Sequence, residues 1–330
     1  MVRFHTIVTH EKTHVDEYEA IRLLRKFGEV MFPGISTAKV IYWKMGGETP
    51  DGRSAEDYER DGVLLVGVGG GRFDEHPTVN VERKAGECAA TLVAKALGVQ
   101  DDPALAEILK YVVANDLKGG AQPFDIASLA KLMHQQHPDN PEMVMEWVLA
   151  GLEAKYQEQF QFWTSTKEDF ERNAQVEEIA TGGKLIKIVS IISDGDQISK
   201  FARSEHGGYA AVVIQKRLSG NVQIYTNKRS GVTLYDVAQM LRLAEQEKKG
   251  HVVTTDWDTL SSEGKVAGAE EWFFHKEGQM ILNGSLTATG VSPTKLSLEE
   301  ILDIIRIGLN PALCRANRFQ KDREKMKVLA

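Results

Sequence analysis

The chain reads as an α/β protein in two parts. The first has a mainly parallel sheet flanked by helices, and a smaller mixed α/β domain follows a helical connector. Three observations predict this. Over the first 150 residues, short β-branched runs alternate with helix-patterned stretches, the signature of parallel strands joined by helical crossovers. A charged, helix-patterned stretch over 140–175 breaks that alternation. A new set of strands then begins, two of them separated by a short turn that calls for antiparallel pairing. The 330 residues suffice for two buried cores.

Residues 2–9, "VRFHTIVT", form the first expected strand. Ala20, Ile21, Leu23, Leu24 and Phe27 make an apolar helical stripe over 16–27, with Gly28 as its C-cap. Strands are expected at 37–43, "TAKVIYW", and at 63–68, "VLLVGV", the latter running into Gly69, Gly70 and Gly71. Helices are expected at 84–97, 103–115 and 125–135. Beyond the connector, strands are expected at 184–192, 209–216 and 221–227, the last two joined by "RLSG". A helix at 233–247 and short strands within "EEWFFHK" and "QMILNGS" follow. Ser297 with Glu300 is a capping box opening a helix over 297–309. The domains are read as 1–150, a connector at 151–182, and 183–330 with a basic tail.

Composition narrows the classes of function. There is no apolar run of about 18 residues, so no membrane span is expected. The start, "MVRFHTIVTHEK", is broken by histidine and charge too early for a secretory signal, which points to the cytoplasm. A net charge of −7 argues against a generally basic nucleic-acid coat. Arg315, Arg318, Lys321, Arg323, Lys325 and Lys327 concentrate positive charge in the tail, as a solvated terminal helix or as a phosphate contact. Cys88 and Cys314 form no paired motif, which excludes a disulfide framework or a cysteine-rich zinc site.

Residues 10–14, His-Glu-Lys-Thr-His, spell the zinc-peptidase signature. That chemistry needs both histidines on one helical face, but the preceding Thr6, Ile7, Val8 and Thr9 favour a strand. The motif therefore belongs in a loop between a strand end and a helix start. Such loops line the crevice where α/β proteins bind ligands. His10, His14 and Asp16 leave it as metal-capable groups, and imidazole with carboxylate suits Mn²⁺, Zn²⁺ or Fe²⁺. Asp16 could instead cap the following helix. A second candidate stretch, "GVGGGRFDEHP", carries Asp74, Glu75 and His76 after a glycine-rich turn. A third candidate is Asp116, in "VVANDLKGG", where a turn residue is the competing explanation.

Together these stretches resemble the DHH phosphoesterase superfamily, most closely its MYG-type branch of metal-dependent exonucleases, over roughly residues 1–150. The superfamily's first motif, His-x-x-x-Asp-x-Asp, reads here as His10-x-x-x-His14-x-Asp16. The branch also has histidine at the middle position, within Thr-His-x-x-x-x-His-x-Asp-Glu. This chain has Thr9-His10 to His14-Val15-Asp16-Glu17, one residue shorter. The third motif, Asp-His-His after Arg-Phe, reads Arg72-Phe73-Asp74-Glu75-His76, and Asp116 matches the fourth. The resemblance implies that His10 and His14 bind one metal and that Asp16, Glu75 and Asp116 bind another. It implies that Asp74 and His76 serve catalysis, His76 by contacting the scissile phosphate, with one or two Mn²⁺-type ions as cofactor.

The second motif departs from the pattern. The superfamily's Val-Asp-x-Gly-Gly carries a bridging aspartate, but here the stretch is Val66-Gly67-Val68-Gly69-Gly70. Asp61 does not replace it, lying at the opposite end of the strand, roughly 20 Å away at about 3.3 Å per residue. Glu75 in place of the usual histidine restores a carboxylate. Two functions remain open. One is a phosphoesterase acting on a nucleotide or a single-stranded nucleic-acid end, like a 3′–5′ exonuclease. The other is a catalytically impaired binding protein of the same fold.

The resemblance also implies a second domain that contacts substrate phosphate through a glycine-rich segment with histidine. Arg203, His206, Gly207 and Gly208 around "SEHGGYA" are the candidates, and a tight turn entering a strand is the competing reading. Lys216, Arg217, Lys228, Arg229 and Lys295 add positive charge. Trp272, Phe273, Phe274 and His275 could stack a base or pack a core. A membrane partner is not expected, and a homodimer is open.

Overall fold

The structure, a computed structural model, describes residues 2–44, 47, 49–77, 86–120, 122–285, 288 and 290–310. The basic tail and Cys314 lie outside the described residues, as does the start of the helix expected from 84. The chain divides into two compact units, Met1–Trp163 and Thr164–Ala330, of nearly equal length. The fold is α/β: a three-stranded parallel sheet with helices, a helical middle, and a six-stranded mixed sheet.

In the first unit β1 (Thr6–His10) lies between β2 (Lys39–Trp43) and β3 (Val63–Leu65), parallel to both. A central strand is covered on both faces, and β1 shows why its residues are β-branched. Ile7 enters the main core, while Val8 joins Ala55, Leu65 and Val68 on the other side. Helix α1 (Val15–Phe27) follows β1, and its residues Val15 through Leu24 are all buried. Helix α2 (Ala55–Arg60) packs beside β3. Helices α3 (Ala89–Leu97), α4 (Ala106–Lys118), α5 (Ile126–Gln136) and α6 (Pro141–Gln161) surround α1. Buried alanines 89, 90 and 94 give α3 a flat face for close approach.

This enclosure extends to charged groups. Arg22 grips Glu19 in a forked pair at 2.8 and 2.7 Å and reaches the half-exposed Glu153 of α6 at 2.8 Å, so a buried arginine ties α1 to α6.

The strand ends differ from the sequence expectation in ways that shape the site. β1 begins at Thr6 rather than residue 2. β3 stops at Leu65, and Val66 makes only an isolated parallel bridge to Phe73. The cause is Gly67, whose φ of +67° turns the chain out of the extended region.

The second unit opens with α7 (Lys167–Asn173) after a π turn at Phe162–Thr166. Its strands are β4 (Gln175–Thr181), β5 (Lys184–Ile192), β6 (Val212–Lys216), β7 (Val222–Thr226), β8 (Phe273–His275) and β9 (Met280–Leu282). They are ordered β4-β5-β6-β7-β9-β8. The β5–β6 pair is parallel, crossed over by α8 (Ile198–Arg203), and the other pairs are antiparallel. Helix α9 (Tyr235–Lys248), the short α10 (Trp257–Leu260) and α11 (Leu298–Gly308) complete it. α9 and α11 close one core with Ile188, Val212, Ile224, Trp272 and Phe274. The strand expected from 209 starts at Val212, because Tyr209 sits at a φ of +56°. Among the described residues no helix is long and apolar enough to cross a membrane.

Candidate metal centre

Parallel strands finish at one edge, and three segments meet there. His10 is the last residue of β1. The Glu11 N–H donates to the Trp43 carbonyl at 3.0 Å, and Thr13 Oγ1 donates to the His10 carbonyl at 2.6 Å, folding the chain back on itself. His14 is the extended N-cap of α1. The His-Glu-Lys-Thr-His motif is thus a turn, with no helical face carrying both imidazoles. The two rings meet edge to face, centroids 5.0 Å apart at 76°.

Asp16 and Glu17 occupy the first turn of α1, where backbone N–H groups favour negative charge. Asp16 is not the cap, since His14 holds that position. Its Oδ2 accepts from the Ala89 N–H at 3.2 Å, while its buried Oδ1 has no hydrogen-bond partner. Asp116 comes from the last turn of α4, and ligand atoms of His14, Asp16 and Asp116 lie within 4.8 Å of one another.

Glu17 matches the last position of the branch's first motif, but the motif comparison gives it no ligand role. It is 1% exposed. Its Oε1 bonds His10 Nε2 at 2.8 Å, and its Oε2 accepts from the His14 N–H at 2.8 Å. His10, His14 and Glu17 form a second group with ligand atoms within 4.8 Å. Glu17 also fills the space beside Gly67: a Cβ on Gly67 would fall 2.6 Å from Glu17 Cγ and 2.7 Å from its Oε1. The sequence held one signal for this, a glycine at the strand end coinciding with a glutamate after Asp16.

The loop after β3 supplies the third group. The Gly67 N–H donates to the Phe73 carbonyl at 2.8 Å, and Phe73 is buried, anchoring the return of the loop. Asp74 Oδ2 accepts from the Gly70 N–H at 2.8 Å, and its Oδ1 meets the His76 N–H at 3.0 Å and His76 Nδ1 at 2.9 Å. Glu75 is 1% exposed, with Oε2 unpartnered. Ligand atoms of Asp74, Glu75 and His76 lie within 4.8 Å of one another, and the charge of Asp116 acts on Glu75 as well.

The electrostatics favour a cation. Burial, reinforced by the charges of Glu17, Asp116 and Glu75, pushes Asp16 well above the usual carboxylate range. Burial, with Glu75 adding, carries Glu17 up to about 7. Burial also raises Glu75, with the Asp116 and Asp74 charges adding. Among the described residues, none of these three pairs with a lysine or arginine. Partial burial lowers both His10 and His14, keeping them as neutral imidazoles able to ligate. His76 behaves oppositely: its bond to Asp74 raises it to about 9, so it is an imidazolium at neutral pH. Burial would raise Asp74, but hydrogen bonds from His76 and the backbone outweigh it and hold the carboxyl below its ordinary value. Neutral imidazoles beside buried carboxylates with unpartnered oxygens fit a divalent ion of the Mn²⁺ or Zn²⁺ type.

In the second unit the candidate residues have roles in the fold. Arg203 donates to the Ser199 carbonyl at 2.8 Å and the Thr226 carbonyl at 3.0 Å, and lies over the Tyr225 ring at 5.4 Å. Gly207 is a close-packing position, since a Cβ there would fall 2.3 Å from the Phe201 carbonyl oxygen. Gly208 turns with φ +76°, and His206 is exposed in the same turn. Arg217 is held by the Asp194 carbonyl at 2.7 Å and Asp196 at 3.0 Å. Trp272 is core, its Nε1 donating to the buried Glu245 at 3.0 Å, and Phe274 is equally buried, so neither is free to stack a base.

No family model matches the chain, and no curated protein does. Among solved structures, an uncharacterized protein from Helicobacter pylori G27 aligns over 93% of this chain and 99% of its own, at 11% identity and a TM-score of 0.27. A score that low carries no argument about fold or function.

Proposed function

We propose that the chain is a cytoplasmic, metal-dependent phosphoesterase of the DHH type, acting on a nucleotide or on the end of a single-stranded nucleic acid. The observation that carries this reading is that His14 and Asp16, from the start of α1, and Asp116, from the end of α4, bring ligand atoms within 4.8 Å of one another, with the buried Asp16 Oδ1 lacking a hydrogen-bond partner. His10, His14, Asp16, Glu75 and Asp116 would hold one or two divalent ions. Such an ion supplies Lewis acidity toward a phosphoryl oxygen and the attacking water. The remaining work falls to the protein. Asp74 orients His76 and keeps it protonated, leaving Nε2–H to donate to a phosphate oxygen.

The test is release of mononucleotide from end-labelled single-stranded RNA and DNA, with and without Mn²⁺. Release should require the ion, and His10→Ala or Asp16→Asn should lower it by about 100-fold or more. Full activity in His10→Ala would refute the ligand set. Tight binding of the oligonucleotide without release would instead support the non-catalytic binding protein.

A further inference from the structure

We propose that Glu17 supplies the carboxylate missing from the end of the third strand, and that Gly67 is the residue that admits it to the cation's binding set. The inference rests on the reading of this edge as a divalent-cation centre, and it adds a ligand and a reason for the glycine.

Residue 67 is where the strand turns away, with φ +67°, and it opens directly onto the Glu17 side chain. Any side chain there would begin inside the volume Glu17 occupies, 2.7 Å from Oε1. The two positions therefore compete for one space, and only one of them can project a carboxylate into it. Glu17 reaches it from the first turn of α1, which holds its Oε2 with the His14 N–H at 2.8 Å. Its Oε1 meets His10 Nε2 at 2.8 Å, so a carboxylate oxygen and an imidazole nitrogen already converge. Asp16 is a further buried group beside it, with Oδ1 unpartnered and a ligand atom within 4.8 Å of His14. A carboxylate lost from one backbone position is thus regained from another, about fifty residues earlier in the chain.

The experiment measures Mn²⁺ stoichiometry and affinity by equilibrium dialysis with metal analysis, alongside thermal unfolding, on the full chain. The variants are Glu17→Gln, Gly67→Asp, the pair Glu17→Ala with Gly67→Asp, and Asp16→Asn. Glu17→Gln keeps the volume and one acceptor, and should weaken Mn²⁺ binding at least tenfold while remaining folded. Gly67→Asp alone should gain no affinity and lose thermal stability, because its side chain meets Glu17. Combining it with Glu17→Ala removes that clash and should raise both Mn²⁺ affinity and thermal stability above those of Gly67→Asp, though short of the wild type, because φ +67° strains any side chain at residue 67. Wild-type Mn²⁺ binding in Glu17→Gln, with binding lost in Asp16→Asn, would overturn this inference and leave the metal-centre reading standing. Stronger Mn²⁺ binding in Gly67→Asp alone, or a double variant no better than Gly67→Asp, would overturn the shared-space argument. Absence of specific Mn²⁺ uptake in the wild type and Asp16→Asn alike would bring down both.

Discussion

At the scale of single residues, the buried carboxyls of Asp16, Glu17 and Glu75 repel one another, a tension that protonation relieves. Burial holds the Glu17 proton more tightly in the folded chain, carrying it from 4.5 to about 7. A raised carboxyl contributes stability that is complete below the unfolded value and is lost as pH climbs through the folded one. In the metal-free protein the stabilising contribution of Glu17 should therefore fall as pH rises from about 4.5 through about 7. Asp16 and Glu75, also raised, act in the same direction. Denaturant titrations of metal-stripped protein across that range check it, and Mn²⁺ at pH 7 should restore what was lost. His10 and His14, lowered by burial, act in the opposite direction, so the slope of Glu17→Gln should be more positive than that of the wild type; equal slopes would mean that Glu17 is not held as described. His10, His14 and Asp16 stood out as candidates in the sequence because they leave one turn at spacings of four and two, whereas Asp116, a hundred residues further on, was matched only through the family's fourth motif. Glu17 was quoted within the same motif, but its approach to Gly67 is a contact that no local spacing encodes.

At the scale of elements, α1 is the member on which the first unit depends. It is buried around its whole circumference for ten residues, so its charged groups are matched internally rather than by water. Arg22→Ala removes the partner of Glu19 and leaves a buried carboxyl uncompensated. The expected cost is about 3–5 kcal/mol, read from chemical unfolding. Replacing Glu153, which is more exposed, should cost much less. The apolar stripe of α1, the capping box at Ser297 and the strand over 184–192 were all readable, since each is a pattern of neighbouring residue types: apolar helical spacing, a Ser followed three residues later by Glu, and a β-branched run. β4 was not. It sits at the edge of the sheet with most side chains exposed and carries Glu177 and Glu178, so no apolar alternation marked it. The same holds for the end of β3, where periodicity promised three more residues than the glycine turn allows.

At the scale of the whole molecule, every group proposed to hold the metal lies within Met1–Trp163. That unit has its own hydrophobic core, running from β1 to α6. A fragment spanning 1–163 should fold cooperatively and bind Mn²⁺ with the affinity of the full chain, as circular dichroism and dialysis would report. Weak binding by a folded fragment would show that the second unit contributes to the ion. The parallel-then-mixed order of the two sheets was visible in the sequence, because the change from helical crossovers to hairpin turns is a change in connection length. The basic phosphate face sought in the second unit was read from residue type alone. Arg203 and Arg217 show the weakness of that, since their guanidinium groups are committed to backbone carbonyls and a nearby carboxylate.

His14 belongs to two of the ligand groups at once, one with His10 and Glu17 and the other with Asp16 and Asp116. A neutral imidazole has a single lone pair to give. Whichever cluster captures that ring leaves its neighbour short of one donor, so a pair of ions in this pocket would be unequal tenants, the second held more loosely than the first.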